Sequence, residues 1–259
     1  MAYETIIVQK KDRVARITFN RPQRLNAINS TVGTELKEAL EEIAGDDQIR
    51  VLVLTGNPRI RETEGQQEIK HCFSVGWDLS DPSPVEPVAE IIASSKKPVV
   101  AMVNGFALGG GCEIALACDF IFAADNSELG FPEINRGLLP GWGGTQRLPR
   151  RIGVPLAKRM ILSGDTVSGV EANDIGLVDE VANRESLDRV VSEFAAKLAG
   201  KPPLGLGKIK EVIDSGVNVD LQSGLKLEQE ALGVLLQTED FQEGIAAFME
   251  KREPQWKGR

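Results

Sequence analysis

The stretch that most constrains this chain is its longest apolar run, "PVVAMVNGFALGGGCEIALAC", from Pro98 to Cys118. Its length alone is compatible with a membrane span. The run also contains a proline, an asparagine, four glycines and a glutamate, which interrupt a continuous apolar helix. We therefore interpret it as a buried strand, a turn and the start of a buried helix.

Glu113 is the only charged residue in this run. An ionised carboxylate in apolar surroundings is costly unless it is paired, hydrogen-bonded or protonated. Because nothing nearby in the sequence can neutralise it, a functional role is favoured over a carboxylate merely hydrogen-bonded in the core.

Three glycines, Gly109 to Gly111, directly precede Glu113. At the start of a helix they leave backbone N–H groups unshielded at the positive end of the dipole, which favours an anion or oxyanion site. Close packing of helix on sheet explains such glycines equally well.

A second carboxylate, Glu133, stands just after a proline, where glutamate is an ordinary first-turn residue. The glycine-rich "LLPGWGG" that follows indicates a segment that closely approaches a ligand.

The composition is that of a soluble globular chain: 259 residues, 42% hydrophobic and 26% charged. A net charge of -8 argues against nucleic-acid binding through phosphate contacts, although local basic clusters can still bind a phosphorylated ligand. The N-terminus lacks the pattern of a signal or transit peptide, so we expect a cytoplasmic protein and no membrane association.

The single histidine, His71, and the three cysteines do not form a zinc spacing or a catalytic triad. The cysteines are therefore expected to be buried thiols in a reducing compartment.

Alternating and apolar segments predict an α/β fold. We expect a β-hairpin near residues 4–19, and then a helix capped by Asn29 or Ser30 that ends near Gly45. "IRVLVLTG", "KPVVAMVNG" and "DFIFAAD" predict buried strands, and "GGCEIALAC" predicts a helix between the last two. The polar "NPRIRETEGQQEIKHC" predicts an exposed loop. After about residue 150 the strand signal fades and helices are predicted, with long apolar faces of the kind that pack on another subunit.

Seven blocks carry a resemblance to a known family: "NRPQRLNAIN", "LTG", "FSVGWDL", "KPVVAMVNGFALGGGCEIALACDF", "LGFPEINRGLLPGWGGTQRLPRRIG", "LSGDTVSGVEANDIGLVDEV" and "TEDFQEGIAAFMEKREPQWKGR". From about residue 4 to the C-terminus the chain resembles the crotonase superfamily, specifically enoyl-CoA hydratases. The resemblance implies an α/β spiral of β-β-α units over residues 1–199. It also implies a helical trimerisation region over residues 200–259, in trimers commonly paired into hexamers.

The resemblance also implies roles for individual residues. Gly110 and Trp77 match the backbone N–H groups of an oxyanion hole, and Glu113 and Glu133 match the two catalytic glutamates of hydratases. Our hypothesis is that Glu113 chiefly activates water and protonated Glu133 delivers the α-proton; the alternative is that the pair shares the water and titrates as a unit. The positions that match coenzyme A contacts are Gln23, Arg24, Leu25, Asp78, Leu79, Ser80, Lys251 and Arg252. For the last two, a solvated surface charge is the alternative.

The implied activity is hydration of a 2-enoyl-CoA in acyl-CoA degradation, with no metal or redox cofactor. The alternatives are isomerisation of an enoyl-CoA, a hydratase or dehydratase acting on a carnitinyl, branched or cyclic acyl-CoA, and a non-catalytic RNA-binding member of the fold. Three departures from the family pattern put the usual short straight-chain substrate in doubt: the long segment Asn57 to Cys72, the short proline-rich segment Asp78 to Lys97, and the bulky Trp77. A family lysine near Ser80 is also missing, which implies that one CoA contact is lost or replaced.

Overall fold

Two β-sheets form the framework of the molecule. The structure is a computed structural model and describes residues 3–63, 66–81 and 83–259. The larger sheet has six strands in the order β1, β2, β3, β7, β9, β12, and the smaller has four in the order β11, β10, β8, β6. The strands of the larger sheet are β1 (Ile6–Lys11), β2 (Val14–Phe19), β3 (Val51–Gly56), β7 (Val99–Val103), β9 (Phe120–Ala124) and β12 (Glu180–Ala182). Those of the smaller sheet are β6 (Cys72–Ser74), β8 (Phe106–Leu108), β10 (Glu128–Gly130) and β11 (Thr166–Ser168).

The helices are α1 (Ser30–Ala44), α2 (Val88–Ala93), α3 (Gly110–Leu116), α4 (Gly144–Ile152), α5 (Val154–Ser163), α6 (Gly169–Asp174), α7 (Arg184–Ala199), α8 (Pro203–Gly216), α9 (Leu221–Leu235) and α10 (Glu239–Glu250). Two short 3₁₀ helices cover Pro22–Arg24 and Pro132–Arg136. No helix in the described ranges is both long enough and apolar enough to span a bilayer.

The predicted N-terminal elements are confirmed. β1 and β2 pair antiparallel, with Ile6 opposite Phe19, across a two-residue turn in which Asp12 and Arg13 have positive φ. Positive φ at both positions is the backbone that matches the twist of a hairpin. α1 is capped by Asn29, whose side-chain oxygen accepts from Val32 N at 3.1 Å, and it ends just before Gly45.

The apolar run contains the predicted strand, turn and helix, and also a short strand, β8, that the sequence did not indicate. β7 is buried along its whole length and pairs in parallel with β3 and β9. β8 then leads directly into α3, all seven residues of which are buried. All three cysteines, Cys72, Cys112 and Cys118, are buried free thiols, as expected.

The prediction of a loop over Asn57–Cys72 is wrong. The described residues form a two-stranded antiparallel sheet, β4 (Arg59–Thr63) and β5 (Gln66–Lys70), with Ile60 opposite Ile69. These isoleucines are 56% and 50% exposed, so the hairpin buries little apolar surface and the sequence gives almost no hydrophobic signal for strands. Residues 64 and 65 of this segment are outside the described ranges.

The expectation of helices alone after residue 150 also needs correction, because β11 and β12 lie in this region. Each is only three residues long. β11 pairs with β10, and β12 pairs with β9. The predicted helices themselves are present. α7 packs on the larger sheet through Leu187, Val191 and Ala195, whereas α8 and α9 bury none of their residues within the chain. The boundary between residues 199 and 200 stays a prediction.

Candidate active site

Glu113 is placed by the sharp turn between β8 and α3. Gly109 has φ +54°, a conformation that residues other than glycine rarely adopt, and its N–H donates to Gly130 O at 2.9 Å. α3 starts at the next residue, so Glu113 lies in its first turn, with only 2% of its surface exposed.

The partners of Glu113 come from far along the chain. Its Oε1 accepts hydrogen bonds from Trp142 N and Gly144 N, both at 2.7 Å. Burial raises the pKa of Glu113, and these backbone N–H groups oppose the increase because they stabilise the charged form. The sequence signalled this segment only through the glycines of "PGWGG", and it did not indicate that the turn binds Glu113.

Glu133 lies in the second 3₁₀ helix and faces the same turn. A Cβ added at Gly109 would lie 3.0 Å from Glu133 Oε1, so the carboxylate reaches the backbone that begins α3. Glu133 Oε2 is buried and has no hydrogen-bond partner among the described residues. Burial raises the pKa of Glu133, the charge of Glu113 raises it further, and the charge of Arg136 lowers it.

Two backbone N–H groups meet beside these carboxylates. Ile28 N donates to Gly76 O and Asp78 N donates to Ile28 O, both at 2.8 Å, which leaves the N–H of Trp77 directed away from Ile28. A Cβ on Gly76 would lie 2.5 Å from Gly110 N, so the Gly76–Trp77 backbone packs directly on the start of α3. Within the described ranges, neither Trp77 N nor Gly110 N has an acceptor.

These groups open into one cavity of about 770 Å³. Of the residues predicted from the sequence, it is lined by Arg24, Trp77, Asp78, Leu79, Ser80, Gly110, Glu113 and Glu133. The cavity is also lined by Leu138, Leu139 and Trp142 of the "LLPGWGG" segment, and by Val85 and Arg136, which no sequence feature indicated. The Trp142 ring packs closely on Gly110, since a Cβ added to Gly110 would lie 2.6 Å from the ring.

Some predicted CoA residues have other contacts. Asp78 pairs with Arg21 at 3.0 Å and accepts from Ser80 Oγ at 2.6 Å, so its side chain holds the turn. Gln23 and Leu25 do not line the cavity, although Leu25 O accepts from Val75 N at 3.2 Å. The CoA assignments remain predictions.

Lys251 and Arg252, at the end of α10, also do not line the cavity of their own chain. Arg252 pairs with Glu243 and Glu250, each at 2.6 Å. The guanidinium lowers the pKa of Glu243 to about 2. Arg252 is therefore already neutralised by neighbouring carboxylates.

The described residues contain no group of three or more His, Cys, Asp or Glu side chains placed to hold a metal ion.

Comparisons with known proteins agree with this geometry. The family model described as enoyl-CoA hydratase/isomerase matches residues 9–259. The chain is 36% identical to a crotonyl-CoA hydratase of Syntrophomonas wolfei, over 97% of each chain. It is 38% identical to a 2,3-dehydroadipyl-CoA hydratase of Escherichia coli, over 98% of this chain and 99% of the other.

Among solved structures, the crystal structure of an enoyl-CoA hydratase from Bacillus anthracis matches with a TM-score of 0.90 and 37% identity. The match covers 99% of this chain and 100% of the other. The predicted crotonase fold is thereby confirmed. The chain belongs to the enoyl-CoA hydratase/isomerase family.

Proposed function

We propose that this chain catalyses the reversible syn addition of water to a 2-enoyl-CoA, giving a 3-hydroxyacyl-CoA. The observation that carries the proposal is the meeting, in one cavity, of two buried carboxylates with two unpaired backbone N–H groups. The relatives named as hydratases support hydration over isomerisation.

The two N–H groups suit the charge that develops in this reaction. When water adds to the β-carbon, negative charge accumulates on the thioester oxygen. Trp77 N and Gly110 N are fixed by the backbone before the substrate arrives, so they can bind that oxygen without reorganising. One such donor contributes about 2.7–4 kcal/mol in a comparable oxyanion hole.

The two carboxylates have environments that separate their roles. Glu113 accepts two short N–H bonds, which favour its ionised form and suit a base that takes a proton from water. Glu133 has a buried oxygen without a donor and feels the charge of Glu113, which favours its protonated form. Protonated Glu133 can then deliver a proton to the α-carbon.

The addition of water involves no net oxidation or reduction, and the proposed catalytic roles are filled by carboxylates and backbone N–H groups. We therefore propose that the reaction needs no metal or redox cofactor. Coenzyme A enters as part of the substrate. Trp77, Trp142 and Val85 line the cavity, so the acyl group has to fit among bulky side chains. The cytoplasmic location stays a prediction from the sequence.

Loss of enoyl-thioester absorbance tests the proposal, with a panel of straight, branched and cyclic 2-enoyl-CoAs that includes crotonyl-CoA. We expect hydration of at least one member. The matched variants Glu113→Gln and Glu133→Gln keep the shape of the side chains, and each should lower kcat by about 10²–10⁴-fold while CoA-ester binding persists. Absence of hydration across the whole panel would contradict the function. If either variant kept the wild-type rate, the glutamate replaced in it would not be a catalytic residue.

A further inference from the structure

The β4–β5 hairpin is attached directly to the turn that carries the predicted CoA residues. β4 packs on the 3₁₀ helix Pro22–Arg24, and Arg24 lines the active-site cavity. Asn26 Nδ2 donates to the carbonyls of Asn57 and Cys72, at 3.0 and 2.9 Å, and so fastens both ends of the hairpin segment. The hairpin therefore has a fixed position beside Arg24.

Two cations lie at the base of this hairpin. Arg59 and Lys70 are opposite each other in the strand register. Both are close to Cys72. Burial raises the pKa of the Cys72 thiol, and the charges of Lys70 and Arg59 oppose that increase. The Cys72 thiol in turn donates to Leu25 O at 3.1 Å. Lys70 Nζ lies 4.5 Å from the centre of the Phe106 ring, which directs it towards the body of the protein.

These cations lack neutralising partners. Neither Arg59 nor Lys70 forms an ion pair with any carboxylate in the part of the chain that the structure describes. Arg59 Nε is also buried and has no hydrogen-bond partner there. A buried N–H donor without an acceptor is costly, so an anion bound at Arg59 would stabilise this arrangement.

The phosphates of coenzyme A need cations to bind them, and some of the groups predicted for this role have other partners. The protein has a net charge of -8. A lysine of the family is missing near Ser80, whose hydroxyl donates to Asp78, and Arg252 is paired with two glutamates. The unpaired Arg59 and Lys70 therefore add to Arg24 as cations that can meet the phosphates.

We propose that Arg59 and Lys70 of the hairpin bind the phosphate end of coenzyme A, next to Arg24. This inference rests on the proposed function, because it takes a CoA thioester as the substrate. The thioester lies at the oxyanion hole, the pantetheine passes Arg24, and the phosphates reach the hairpin base. Arg59 and Lys70 are binding residues and take no part in the chemistry.

The test compares crotonyl-CoA with crotonyl-pantetheine, which has the same reacting group and no nucleotide phosphates. For the double variant Arg59→Gln/Lys70→Gln we expect KM for crotonyl-CoA to rise about tenfold with kcat unchanged, because the lost contacts stabilise the bound substrate and the transition state equally. KM for crotonyl-pantetheine should not change. Lys11→Gln, which removes an exposed cation from the β1–β2 hairpin, is the matched control and should leave both values unchanged.

An unchanged KM for crotonyl-CoA, or an equal rise for both substrates, would overturn the inference. Because Arg59 is partly buried, Arg59→Lys and Lys70→Gln are tested as single variants, and Arg59→Lys should retain most of the affinity. Calorimetric titration with CoA itself separates this inference from the proposed function. If CoA binding weakens about tenfold in the double variant while the wild type hydrates no enoyl-CoA, the phosphate site stands and the function fails.

Discussion

At the scale of single residues, Glu113 and Glu133 are expected to give a bell-shaped dependence of kcat/KM on pH. Glu113 must be ionised to act as base, so the rate rises as pH passes its pKa, and Glu133 must be protonated, so the rate falls above its pKa. Burial raises both pKa values above the usual 4.5, and the two limbs report the pair as a unit. Arg136 lowers the pKa of Glu133, so Arg136→Gln should move the upper limb to higher pH.

The control for this shift is Arg159→Gln, which removes an exposed cation from α5, outside the cavity lining. It should leave both limbs in place. Initial rates from about pH 5 to 9 measure the profile. An upper limb that stays fixed or moves to lower pH in Arg136→Gln would contradict the assignment of Glu133 as the acid.

At the scale of elements, the proposed oxyanion hole depends on the contact between the turn after β6 and the start of α3. Gly76 has φ +81°, and a Cβ there would lie 2.5 Å from Gly110 N. Gly76→Ala should therefore displace one N–H donor and lower kcat by about 10²–10³-fold, with a loss of stability as well. Gly176→Ala is the matched control, since Gly176 has φ +77° and no neighbour within 4 Å of an added Cβ.

Both alanine variants force a side chain into a left-handed conformation, which costs of order 1 kcal/mol or more of the free energy of unfolding. Urea unfolding measures that shared cost, and turnover of crotonyl-CoA measures the effect on the site. Equal activities in the two variants would show that the Gly76–Gly110 contact is not needed for catalysis.

At the scale of the whole molecule, the C-terminal helices leave a large apolar surface uncovered, and we propose that it is buried in a homotrimer or a homohexamer. The exposed apolar side chains of α8 to α10 and the turn between α8 and α9 include Ile209, Ile213, Val217, Leu221, Phe248 and Met249. Apolar patches of this kind mark interaction surfaces. Sedimentation should give three or six copies of the 28.1 kDa chain.

Phe248→Glu tests this surface, because the Phe248 side chain is 81% exposed in the single chain and would place a charge in the interface. We expect dissociation towards smaller species. Ile7→Glu adds the same charge at a partly exposed position on β1, outside the C-terminal helices, and should leave the assembly intact. A monomeric wild type, or assembly unaffected by Phe248→Glu, would count against the proposal.

The elements that the sequence predicted well have strong local signals. The hairpin β1–β2, the helix capped by Asn29 and the buried strands β3, β7 and β9 follow from periodicity, capping and apolar runs. The β4–β5 hairpin and the three-residue strands β6, β8, β10, β11 and β12 were missed. Their pairing comes from backbone hydrogen bonds to a neighbouring strand, and their few apolar residues leave no clear periodic pattern.

The candidate site also has features that the sequence predicted and contacts that it did not. The isolation of Glu113 among apolar residues and the glycines before it were sufficient to indicate a buried carboxylate beside exposed backbone N–H groups. Only the tertiary structure shows that Trp142 N and Gly144 N, 29 and 31 residues further on, bind Glu113 and that Trp142 packs on Gly110. Residue type and local spacing were enough to predict the candidate catalytic residues, because they fix charge and secondary structure. Which groups meet them was decided by the fold, because contacts between distant segments depend on turns whose conformations the local sequence does not specify.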